Sequence, residues 1–224
     1  IAGFIAGGES EISGCTNTGE LDNEHYNNNP WKSEGLQSGS IGGIIGAYAY
    51  NNDYEASIKV ENCSNTAGLR SSRGMAGGIA GYLRNGEISG CNNTGTMANG
   101  TRSYVAGIVG VVEHVSIDNC TAVCNVAGMS AGSEYFSGGD IVGILYDGSS
   151  CTNSSFYGSI VSSTTKPEET AGGIAGSSAA GTSISGCKFG GAVRGTDITD
   201  SNYSSYVAGD SNAQVSSCSY WDGK

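Results

Sequence analysis

Eight cysteines, two histidines and a scatter of acidic side chains are the reactive groups of this 224-residue chain. A zinc hydrolase of the H-E-x-x-H kind needs its two histidines on one face of a helix. His25 and His114 stand far apart and read as surface residues. There is no G-x-S-x-G elbow, no phosphate-binding glycine loop and no C-x-x-C pair. Polysaccharide cleavage would need carboxylates gathered on one face as acid and base, or as calcium ligands beside an arginine or lysine base. Asp140, Asp147 and Glu113, with Arg84 and Arg102 near them in repeat order, are the candidates. They share no single column of the repeat, so they read as scattered solvated charges. No cofactor is implied; weak calcium binding by the acidic surface stays open, without a ligand set to place it.

The cysteines point to architecture rather than catalysis. Cys15, Cys63, Cys91, Cys120, Cys187 and Cys218 recur at one place in a degenerate repeat, with Ser154 at the remaining copy. Three residues before them runs an apolar column, Ile12, Val60, Ile88, Ile117, Cys151, Ile184 and Val215, at intervals of 48, 28, 29, 34, 33 and 31 residues. A G-x-I-x-G tract precedes each copy, which aligns Ile5, Ile44, Ile79, Ile108, Ile141, Ile174 and Val207 and then Gly7, Gly46, Gly81, Gly110, Gly143, Gly176 and Gly209. Leu21, Leu69, Met97, Val126, Ile160 and Val193 close the complete copies. Three apolar stretches per copy, too short for helices and lacking their period, predict three short strands per turn.

The expected fold is therefore all-β: a right-handed parallel β-helix of about seven coils in a single domain over residues 1–224, a rod roughly 34 Å long at about 4.8 Å per coil. Leucine-rich repeats and β-propellers fit neither the consensus nor the repeat length. Side chains of one column point the same way, so the cysteines are expected as buried, reduced thiols acting as small apolar groups. The strongest disulfide alternative pairs Cys120 with Cys124. Two residues past each cysteine, Asn17, Asn65 and Asn93 predict an amide ladder, and Phe156, Phe189 and Tyr220 a ring stack. Thr18, Thr66 and Thr94 make a threonine set too short for an ice-binding face.

The G-G-I-x-G tracts at 77–81 and 172–176, the I-S-G-C-x-N-T-G run from Ile88 to Gly95 and the ending Cys218-Ser219-Tyr220-Trp221 resemble the GLUG-motif family of bacterial surface proteins. That resemblance implies exported or surface-anchored chains in which such repeats form β-helical stalks or adhesin-like regions; similar repeats occur in IgA-cleaving metalloproteases outside the catalytic part. It implies an extracellular location, as part of a larger protein. The leading expectation is a non-catalytic adhesive or scaffolding module whose partner is a glycan or a surface protein. The alternatives are a polysaccharide lyase or hydrolase and a plain stalk.

A formal charge of -11 sets nucleic acid and anionic lipid aside as partners. No stretch approaches the roughly 18 apolar residues of a membrane-spanning helix, and a monomer is expected. Contact surface is expected where the repeat is interrupted. The insertion at 22–40 holds Tyr26 and Trp31, and a smaller excursion holds Tyr135 and Phe136. The stretch 203–224 is expected to cap the last coil, with Tyr220 and Trp221 covering its open edge.

Overall fold

The computed structural model describes residues 2–5, 8–23, 39–48, 56–71, 74–99, 103–128, 136–162, 170–194, 207–209 and 212–221. They form a parallel β-solenoid with three faces. The first sheet stacks Ile41–Gly42, Gly74–Gly77, Ser103–Ala106, Phe136–Gly139 and Thr170–Gly172. The second runs from Ala2–Ile5 through Ile45–Tyr48, Ala80–Ser89 and Val109–Asp118 to Gln214–Ser216. The third runs from Thr16–Asn17 through Ser64–Asn65, Asn92–Asn93, Thr121–Ala122, Ser155–Ser162 and Lys188–Arg194 to Ser219–Trp221. Every strand pairing is parallel, as coils stacked in one direction require.

Among the described residues, complete coils are fewer than the about seven expected. Five coils carry all three sheets among the described residues; the first and last levels are described on two faces only. Within the stack the expected columns hold. Ile12, Val60, Ile88, Ile117, Cys151, Ile184 and Val215 are register partners in turn. So are Leu21, Leu69, Met97, Val126, Ile160 and Val193. Apart from Val215 at the last level, which is exposed, both feed one continuous core with the isoleucines of the G-x-I-x-G tracts.

One alignment is corrected. Ala2 pairs with Ile45 and Ile5 with Tyr48, so Gly3, not Gly7, lies under Gly46. The first tract reads I-A-G twice within seven residues, and only the pairing downstream distinguishes the two registers. Of the insertion expected at 22–40, residues 24–38 lie outside the described residues.

Two backbone requirements explain the recurring small residues. A Cβ on Gly110 would lie 2.6 Å from the Gly81 carbonyl oxygen and 2.8 Å from the Ala76 nitrogen, because two sheets meet closely at that corner. At the corner before the cysteine column, Gly14, Asn62, Gly90, Asn119, Asn153, Gly186 and Ser217 all have φ between 50° and 63°. Only glycine and asparagine enter this left-handed region readily. Ser217 is the costly member.

Candidate functional site

His25, Tyr26, Trp31, Arg102 and Tyr135 lie outside the described residues, as does the side chain of Phe136, whose backbone opens a strand. The remaining candidates fall into inward ladders and an outer flank.

All eight cysteines are free thiols, six of them buried and Cys15 and Cys218 half-buried. Each member of the column sits just after the left-handed corner and donates its S–H back to the carbonyl two residues earlier. Cys63 Sγ reaches Glu61 O at 3.3 Å, Cys91 Sγ reaches Ser89 O at 3.4 Å and Cys120 Sγ reaches Asp118 O at 3.4 Å. Ser154 makes the same bond with its hydroxyl at 2.9 Å, which is why serine replaces cysteine there. Burial pushes the Cys63 thiol up to about 11. A protonated thiol is neither nucleophile nor metal ligand, so these groups close corners. The sequence carried the signal for this bond in the Gly or Asn residue before every cysteine of the column but Cys218, which follows Ser217.

The next inward column changes character along the rod. Asn17 Nδ2 donates to Asn65 Oδ1 at 2.8 Å, and Asn65 Nδ2 donates to Asn93 Oδ1 at 2.7 Å. Each amide also donates to its own turn: Asn65 to Ala67 O at 2.9 Å and Asn93 to Gly95 O at 3.0 Å. Asn65 and Asn93 are fully buried, and their hydrogen bonds are what permit that. From the fifth level the column is aromatic. Phe156 and Phe189 stack with centroids 5.9 Å apart, and Phe189 and Tyr220 with centroids 5.3 Å apart. Between the two regimes Ala122 and Cys124 fill the fourth level, and Asn93 Nδ2 ends the amide chain on Cys124 Sγ at 3.5 Å.

Asp140 corrects the reading of scattered solvated charges. It stands in the glycine column of Gly43, Gly78 and Gly107, since each backbone N–H of that column donates to the carbonyl one coil on. Its side chain is fully buried, and neither carboxylate oxygen has a hydrogen-bond partner. Burial holds its carboxyl well above the usual carboxylate range. Burial and the adjacent Asp140 push the Cys124 thiol up to about 12.

Glu113 is brought beside Arg84 by direct register. Arg84 Nη2 lies 3.3 Å from Glu113 Oε1, and the Tyr82 hydroxyl donates to Glu113 Oε2 at 3.1 Å. Tyr82 is buried in a small second cluster with Ala47, Met75, Val111 and Ile144, and burial and then Glu113 push its phenol upward. A phenol held protonated by a neighbouring carboxylate is a donor, not a base. Asp147 is exposed and does not join them; its carbonyl accepts the His114 N–H at 3.0 Å. His114 occupies a left-handed corner at φ 54°. Among the described residues no group of three His, Cys, Asp or Glu side chains converges as a metal site.

Tyr220 covers Phe189 as expected, while Trp221 turns outward and is 60% exposed. Alternation along a strand imposes that split, because neighbouring residues face opposite sides. Tyr157 and Val123, in the same outward column, were not picked out from the sequence. Their signal was their place, one residue after the inward ladder.

No curated protein and no solved structure matches the chain. Residues 72–97, which make up most of the third coil, match the GLUG motif. Residues 72–97 thus carry a GLUG motif, and the coil they belong to is stacked in register between coils of the same plan.

Proposed function

We propose that this chain is a non-catalytic module of an exported bacterial protein, adhesin-like or scaffolding, whose rigid rod presents its outer flank to a glycan or a surface protein. The unbroken register of the inward columns carries this reading. Cysteine, asparagine and aromatic side chains that could have served chemistry are consumed in holding coil on coil, and the most suggestive charged group, Arg84 with Glu113 and Tyr82, is closed on itself. The GLUG motif, a repeat element, supports it. A rod spaces its contacts along one axis, so weak sites add through multivalency.

The test immobilises the chain on a glycan array and on extracellular-matrix proteins, with release of reducing or unsaturated sugar ends measured alongside. Binding without turnover is the expected result. Turnover of any polysaccharide would refute the proposal.

A further inference from the structure

The column just after the asparagine–aromatic ladder faces outward and contains Thr18, Thr66, Thr94, Val123, Tyr157, Gly190 and Trp221. Five large apolar side chains stay exposed among the described residues. Three of them, Val123, Tyr157 and Trp221, stand in this one ladder, and a fourth, Val161, lies on the same sheet. Solvated apolar surface gathered on one flank of an otherwise polar rod marks a contact site. Gly190 shows how it is built. An ideal Cβ at that position would lie 3.0 Å from Tyr157 Cδ1 and 3.4 Å from Trp221 Cε3. The two rings, from the fifth and seventh levels, therefore lean together over the glycine between them and bury it. They make one aromatic platform spanning roughly 10 Å along the rod axis.

We infer that this platform, Tyr157 and Trp221 closed over Gly190, binds a neutral, extended polysaccharide. Aromatic rings offer a flat apolar face that suits the C–H face of a pyranose, with a polar tip left for its hydroxyls. Ser155, Lys188 and Ser219 run parallel at the same three levels, two residues earlier in each strand, and supply hydrogen-bonding groups along one edge. The ladder is straight, so its occupant is a chain lying along the axis. A net charge of -11 repels uronate-rich or sulfated chains. Area argues against a protein partner. Two part-exposed rings offer well under the roughly 800 Å² per side of a stable protein interface, whereas one or two sugar rings need no more than they provide. The inference rests on the non-catalytic reading above.

Affinity electrophoresis and calorimetry with cellulose-, xylan-, mannan- and laminarin-type polymers and their hexasaccharides test it. Polygalacturonate is the acidic counterpart, and reducing ends are measured in the same mixtures. At least one neutral polymer retards the wild-type chain. Tyr157→Ala and Trp221→Ala each weaken binding about tenfold, equivalent to roughly 1.4 kcal/mol, with unchanged melting temperature. Gly190→Val, which stands a side chain up between the rings, does the same, and Thr66→Ala has no effect. Lack of retention by every neutral polymer overturns the inference, as does retention that survives both ring variants or is confined to polygalacturonate. Release of reducing ends would sink the non-catalytic reading instead, leaving the ring variants to judge the platform.

Discussion

Asp140 makes the stability of the rod depend on pH in a direction opposite to that of most aspartates. Its carboxyl is fully buried and without a hydrogen-bond partner, so the folded chain holds a proton that the unfolded chain gives up above the ordinary carboxylate range. The folded state therefore binds more protons, and stability falls as pH rises from about 4 towards the raised folded value. The slope contributed is up to about 1.4 kcal/mol per pH unit. Asp140→Asn keeps the size and polarity of the side chain and removes its titration. Asp140→Gly restores the residue of the neighbouring coils and also removes a buried polar group costing about 1–3 kcal/mol, offset by roughly 0.5–1 kcal/mol of glycine backbone entropy. The assay is urea unfolding at pH 5, 6 and 7. The gap between each variant and wild type should widen as pH rises, with Asp140→Gly the more stable of the two variants. Reading differences against wild type cancels groups such as Asp118, whose carboxyl is held low by hydrogen bonds from Thr152 and Asn153 and which acts in the opposite sense. Parallel pH profiles for wild type and Asp140→Asn would refute the reasoning.

The other expectations concern the ladders and their corners. In the native protein Cys15 and Cys218 react with a thiol reagent first and the six buried cysteines lag, whereas all eight titrate in denaturant; fewer than six free thiols would bring back the disulfide alternative. Asn65→Ala removes the amide donor to the Ala67 carbonyl and one of the two donors to Asn93 Oδ1, and takes away the Asn65 acceptor of Asn17 Nδ2; it should cost about 2–4 kcal/mol by chemical denaturation. Phe189→Ala opens the middle of the ring stack, at about 3–5 kcal/mol by the same measurement. Ser217→Gly relieves a left-handed corner and should raise stability by about 1 kcal/mol, seen as a higher melting temperature.

The repeat made the inward half of this protein legible. An inward column must be filled alike at every level, so recurrence alone identified the Ile/Val, Leu/Met and Cys columns, the amide ladder and the ring stack, down to register. It did not resolve the first tract, where two I-A-G runs satisfy the same pattern and pairing with Ile45 and Tyr48 decides. Outward positions carry no such constraint. Nothing in the order of residues brings Tyr157 to Trp221, 64 positions later, until two coils are laid down and Gly190 lets the rings meet. Asp140 shows the converse: a lone carboxylate reads as solvated in sequence, and only its place in a glycine column, walled in by the coils on either side, denies it water. Local pattern determined what each coil buries; the stacking of coils decided which distant side chains share a surface and which charge lost its solvent.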